Sequence, residues 1–228
     1  HVLFRRQRQM CIRDSLGTVK MQNNQLKQLI DTSSRIILKV GSSLLINENN
    51  NDINYHWLKN FSKEIQSLTD KKKQIMIVSS GSVALGRKQL NLVKNLSLDE
   101  KQAAAAVGQI HLSHAWKEVL KSFNLESAQI LLAPDDTETR RKHLNARATL
   151  LKLLQLNVIP VINENDTVST DEIKFGDNDR LAARVAQMCE VDLLILFSDV
   201  NGLFSEDPNK NKDSELICLL YTSPSPRD

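Results

Sequence analysis

Aromatic residues are scarce in this chain, at 4% of 228 residues. A core built from it must be filled mostly by aliphatic side chains. Cysteine is scarce too. Cys11, Cys189 and Cys218 have no ligand-like spacing and supply no plausible disulfide framework. That excludes a stapled secreted scaffold and favours a reducing, cytoplasmic setting. No apolar run approaches the roughly 20 residues that a membrane-spanning helix needs, so no membrane partner is expected. Neither G-x-G-x-x-G nor G-x-x-x-x-G-K-[ST] occurs, which removes the dinucleotide fingerprint and the Walker-type phosphate loop.

A basic surplus is missing from the body of the chain as well. The net charge is +3, but Arg5, Arg6, Arg8, Arg13 and Lys20 against Asp14 give residues 1–20 a charge of +4. Residues 219–228 are neutral, which leaves −1 for 21–218. A nucleic-acid partner therefore has little support. Residues 1–20 and 219–228 read as foreign to the fold or as disordered tails, with Met21 as the natural start. The first segment has no sustained periodicity, and the last ends in a Ser/Pro run that cannot continue a helix or a central strand.

What remains, 21–218, has the composition of a globular domain with one substantial core, in a chain that is 41% hydrophobic and 25% charged. Apolar strands are expected at Arg35 to Val40, Gln74 to Val78, Ala128 to Leu132, Val158 to Ile162 and Val191 to Phe197. Helical spacing is expected over Trp57 to Leu68, Ser82 to Leu90, Leu98 to Ser122, Thr139 to Leu156 and Asn178 to Cys189. Strands alternating with helices predict a three-layer α/β/α sandwich with a mostly parallel central sheet. In such sheets ligands bind beyond the carboxyl ends of the strands. Four clusters stand there: Gly41-Ser42-Ser43, Ser79-Ser80-Gly81-Ser82, Asn163 to Asp166, and Ser198-Asp199.

Small residues after a strand let backbone N–H groups approach an anion, and a helix N-terminus adds a favourable dipole. Lys39 interrupts an apolar strand just before Gly41, where a cation can neutralise charge on a transferred phosphoryl group. An ordinary strand-edge lysine is the weaker reading. Ser80 and Ser82 suit anion binding or capping of the next helix. Val158 to Asp179 crowds Asn163, Glu164, Asn165, Asp166, Asp171, Glu172, Asp177, Asn178 and Asp179 around a strand end. Such crowding costs stability and suggests recognition of a polar small molecule or a metal-bound phosphate. Asp177 also suits the N-cap of the helix that follows. His56, His111, His114 and His143 read as surface or core residues rather than metal ligands.

From Arg35 to Ile217 the chain resembles the amino acid kinase family, closest to the branch that phosphorylates the side-chain carboxylate of L-glutamate. The resemblance rests on LKVGSSLL (Leu38 to Leu45), IVSSGSVALG (Ile77 to Gly86), AAVGQ (Ala105 to Gln109) and LNAR (Leu144 to Arg147). PVINENDTVST (Pro160 to Thr170), EIKFGDNDRLAA (Glu172 to Ala183) and SDVNGLFSEDP (Ser198 to Pro208) complete it. It implies transfer of the γ-phosphoryl group of ATP, with Mg²⁺, to L-glutamate in proline biosynthesis. It also implies proline as feedback inhibitor and a homo-oligomer when full length. Residue by residue, Lys39 and Asp179 take the catalytic places, with Asp179 orienting lysines. Ser80, Asp166 and Asn178 take the substrate, and Lys39, Gly41, Ser42, Ser198 and Asp199 the nucleotide. Family members continue into a glycine-rich segment with a second catalytic lysine, and nothing after Ile217 resembles it. A C-terminally truncated kinase domain with little activity is the expectation. A sibling acting on acetylglutamate, aspartate or a nucleoside monophosphate shares the fold, and a non-catalytic amino-acid-binding module is the remaining alternative.

Overall fold

The computed structural model describes residues 2–4, 8–10, 19–47, 52–93, 95–168, 178–198, 211, 214 and 219–220. In chain order the strands are β1 (Val2–Phe4), β2 (Arg8–Met10), β3 (Arg35–Val40), β4 (Ile46–Asn47), β5 (Asp52–Ile53), β6 (Gln74–Ser79), β7 (Glu126–Leu132), β8 (Val158–Glu164), β9 (Leu193–Phe197) and β10 (Leu219–Leu220). The helices are α1 (Val19–Thr32), α2 (Ser42–Leu45), α3 (Tyr55–Asp70), α4 (Ser82–Gln89), α5 (Leu98–Lys121), α6 (Pro134–Glu138), α7 (Arg140–Gln155) and α8 (Asn178–Met188). All five expected strands and all five expected helices are present, with shifts of a few residues at their ends. Helices α1, α2 and α6, the β4–β5 hairpin and strands β1, β2 and β10 were not anticipated. In α1, Leu26, Leu29 and Ile30 pack against the core, a short stripe easily lost among the polar residues around it.

The main sheet runs β10-β2-β1-β9-β3-β6-β8-β7. From β9 to β7 every neighbouring pair is parallel, and β1, β2 and β10 add antiparallel strands beyond β9. Strand β3 thus lies inside the sheet between β9 and β6. Its residues are almost continuously apolar because helices cover both faces.

The period of two along each strand divides the core. Ile36, Leu38, Val40, Ile75 and Ile77 point to one side, where Leu58, Phe61 and Ile65 of α3 and Leu112, Trp116 and Leu120 of α5 bury them. Ile37, Met76 and Val78 point to the other, against Leu150 and Leu154 of α7 and Leu181, Val185 and Met188 of α8. Lys39 shares the parity of Ile37 and therefore faces the α8 side. Asp192 locks β9 to the start of β3, its Oδ2 accepting from the backbone N–H of Ser34 and of Arg35, both at 2.9 Å.

Candidate active site

At the carboxyl ends of β3, β6, β8 and β9 the chain opens a cleft of about 530 Å³. Lys39, Gly41, Ser42, Ser80, Asp166, Asn178 and Ser198 all line it. Asp179 reaches it through Lys39. Asp199, Asp171, Glu172 and Asp177 lie outside the described residues, as does the continuation of the chain between Val168 and Asn178.

Lys39 is only 9% exposed. Its parity aims it at the first turn of α8, where Asp179 Oδ1 stands 2.7 Å from Nζ. A buried ammonium needs such a partner, since an uncompensated charge there is costly. Asp179 keeps 58% of its side chain exposed, so the pair fixes the lysine at the rim of the cleft. Gly41 follows at the strand end, with its N–H donating to the Phe197 carbonyl at 3.2 Å. A Cβ placed on Gly41 would stand 3.9 Å from Lys39 Nζ, so its absence leaves room beside the cation.

Strand β6 ends in a turn that only glycine makes easily. Gly81 has φ of +115°, a region that costs an L-residue strain, and it opens α4. The first turn of α4, through Ala84, borders the cleft. Its N–H groups and dipole favour an anion there. Half-buried Arg87 and Lys101 add positive charge along the same wall.

The serines flanking Gly81 do not cap α4, contrary to one of the two expectations for them. Ser80 Oγ accepts from Asn178 Nδ2 at 2.8 Å, and Ser82 Oγ donates to Asp166 Oδ2 at 3.0 Å. Their hydroxyls serve the acidic cluster instead. Asp166 is 6% exposed and Asn178 3%. Asp166 Oδ1 and Asn178 Oδ1 are buried and, among the described residues, accept no hydrogen bond. Two orphaned acceptors on residues that line one cleft are costly unless a ligand brings donors to them. Burial pushes the Asp166 carboxyl above its ordinary value, and the Ser82 hydroxyl pulls back against that.

Sequence reading left three supporting residues without a role. Asn163, Gln109 and Trp116 lie beneath the cleft. Asn163 Nδ2 donates to Gln109 Oε1 at 2.7 Å, and Trp116 Nε1 donates to Ser79 Oγ at 2.9 Å. Asn163 stood in the crowded stretch and Gln109 in a quoted motif. Their contact spans 54 residues, which no local pattern reveals. The histidines stand apart from the cleft lining: His114 pairs with Glu118 at 3.3 Å on the surface of α5, and His143 contacts the Thr137 carbonyl.

Among the described residues no three His, Cys, Asp or Glu side chains gather in a way that could hold a metal ion. Likewise, no helix there is long and apolar enough to cross a membrane.

The arrangement has counterparts. Crystal structures of isopentenyl phosphate kinases share the fold: that of T. acidophilum, in a product complex, has a TM-score of 0.53 at 15% identity over 79% of this chain and 76% of that one. A substrate complex of the same enzyme type gives 0.55 at 18% identity, covering 80% and 78%. By sequence, the glutamate 5-kinase of Paramagnetospirillum magneticum is 51% identical over 189 residues, covering 83% of this chain and 51% of that protein. That of Rhodopseudomonas palustris (strain BisB5) is 53% identical over 184 residues, covering 80% and 49%. The chain thus spans about half the length of the curated relatives it matches. The family model described as "Amino acid kinase family" matches residues 34–223, which takes in every strand that lines the cleft, and the chain belongs to that family.

Proposed function

We propose that this chain is the acceptor-binding part of an ATP-dependent glutamate 5-kinase. The observation that carries the reading is the gathering of a cation, a helix N-terminus and unsatisfied acceptors at one cleft. Lys39 and the first turn of α4 line it together with Asp166 and Asn178, whose Oδ1 atoms are buried and, among the described residues, accept no hydrogen bond. An amino-acid acceptor with a reacting carboxylate and a free ammonium satisfies both. The relatives at about 50% identity favour L-glutamate over other members of that class.

A carboxylate is already ionised near neutral pH and needs no general base. Its oxygen forms the new bond to the γ-phosphorus as the bond to the ADP oxygen breaks, giving γ-glutamyl phosphate without a proton transfer. The obstacle is repulsion between two anions, which calls for fixed cations and N–H donors. Lys39, held by Asp179, supplies charge to the transferring group. Gly41 and Ser42 serve the phosphates and Ser198 the nucleotide, a role the family resemblance also gives to Asp199. Ser80, Asp166 and Asn178 hold the acceptor. Mg²⁺ would travel with the nucleotide phosphates and add positive charge to them. The same reading makes the reaction a cytoplasmic step of proline biosynthesis, with proline feedback and a homo-oligomer in the intact protein.

Calorimetric titration of the 228-residue chain tests the acceptor. L-Glutamate is expected to bind, and N-acetyl-L-glutamate, which offers one amide N–H in place of three ammonium donors, at least tenfold more weakly. Equal affinity for the two, or preference for the acetylated compound, overturns the assignment.

A further inference from the structure

The two orphaned oxygens belong to residues that line the cleft, and they are left without donors only because neighbouring amides are turned one particular way, a choice the chain fixes. Asn163 is 2% exposed and sits under both. The backbone N–H of Glu164 reaches one end of its amide at 2.9 Å, and a backbone N–H can only donate. That end is therefore Oδ1. The other end, Nδ2, must find acceptors, and it has Gln109 Oε1 at 2.7 Å and Ser82 Oγ at 3.3 Å. Oδ1 then takes Asn178 Nδ2 at 3.0 Å, while that same Nδ2 contacts the Ser79 carbonyl at 3.4 Å. With Nδ2 so engaged, Asn178 Oδ1 is the atom left without a donor. On the other branch, Ser82 receives from Asn163 and so passes its own proton to Asp166 Oδ2, leaving Asp166 Oδ1 free.

Every link but one comes from the strand ends, from the residues just after them, Ser82 at the start of α4 and Asp166 after β8, or from α8. The exception is Gln109, on α5, which gives Asn163 Nδ2 its shortest contact. We propose that Gln109 is a positioning residue for amine recognition: through Asn163 it holds Asn178 Oδ1 and Asp166 Oδ1 as paired acceptors for the ammonium of the acceptor substrate. It does not line the cleft or touch the ligand. Without it, a buried N–H loses its best partner, and Asn163 is held only by the Glu164 N–H, Asn178 and the longer contact to Ser82, which loosens both branches at once. The inference rests on the proposed amino-acid acceptor, but its test has a part that does not.

The test compares Gln109→Leu, which removes the acceptor, with Gln109→Glu, which keeps an oxygen in its place. Gln109→Met serves as a second removal variant should the leucine variant misfold. Each 228-residue chain is titrated with L-glutamate and with glutarate, the same dicarboxylate without the amine. Removal is expected to weaken L-glutamate about tenfold and leave glutarate unchanged, and Gln109→Glu is expected to restore the difference. A purely structural role would weaken both ligands alike and would overturn the proposal, as would a wild-type preference for L-glutamate that survives removal. Side-chain amide NMR of the ligand-free chain gives the independent reading. The Asn163 and Asn178 amide signals should shift on removal and return with Gln109→Glu. If the wild-type chain binds neither compound, the proposed acceptor fails and these signals alone decide; unchanged signals on removal then overturn the positioning role.

Discussion

Lys39 and Asp166 carry opposite problems of burial. Lys39 is a charge that the fold compensates, through Asp179 at 2.7 Å. Its removal takes a cation from the proposed phosphoryl side without opening the core. In the intact kinase, Lys39→Ala is expected to lower kcat by roughly 10²-fold or more, as loss of one transition-state charge contact does. Steady-state kinetics checks this, and a change confined to KM would count against the role. Asp166 is a carboxyl that the fold leaves incompletely satisfied, and burial raises its pKa from the ordinary 3.8. A raised carboxyl pKa means that the folded state holds its proton where the unfolded state has released it. Its contribution to stability is therefore fully present below the unfolded value and falls as pH rises through the folded one. Asp166→Asn should remove that decline and raise the melting temperature of the ligand-free chain at neutral pH, while weakening L-glutamate binding. Thermal melts across the acidic range, paired with titration, measure both effects. A variant that melts lower at neutral pH would contradict the account.

At the scale of elements, the cleft depends on how closely α4 approaches α5. Two glycines permit it. A Cβ on Gly86 would lie 1.7 Å from the Ala104 carbonyl oxygen, and one on Gly108 would lie 1.8 Å from that of Ser82. Both neighbours are backbone, so the clash can be relieved only by moving a helix. Ser82 holds Asp166, and Gln109 follows Gly108 directly. Displacement here reaches the proposed acceptor site by two routes. Gly108→Ala is expected to cost about 1–3 kcal/mol of stability and to weaken L-glutamate binding together with it. Denaturant unfolding measures the first, and a variant as stable as wild type would show that the helices part without penalty.

At the scale of the molecule, the central place of β3 decides where chemistry can occur. Parallel strands on both sides bring four carboxyl ends together, so residues far apart in the chain share one cleft. The 228-residue chain spans about half the length of the curated relatives it matches. It is therefore expected to bind L-glutamate while forming little γ-glutamyl phosphate from ATP. Hydroxamate trapping measures the product, and robust turnover would overturn this expectation.

Much of this was legible in the sequence. The five strands, the helices between them and the clusters at the strand ends follow from local apolar periodicity and from small residues placed after each run. Lys39 stood out because a charge within an apolar strand must have a reason. The strand parity that turns Lys39 toward α8, the role of Ser82, and the engagement of Gln109 were not legible. Residue spacing along one chain carries no information on which face of a sheet a distant helix covers. The sequence alone determined the element types, the class of fold and the kind of groups gathered at one edge, because those depend on short-range pattern and composition. Only the tertiary structure decided which oxygens are left without donors, because that depends on hydrogen bonds between segments up to 99 residues apart, set by helix packing and by the direction of each buried amide.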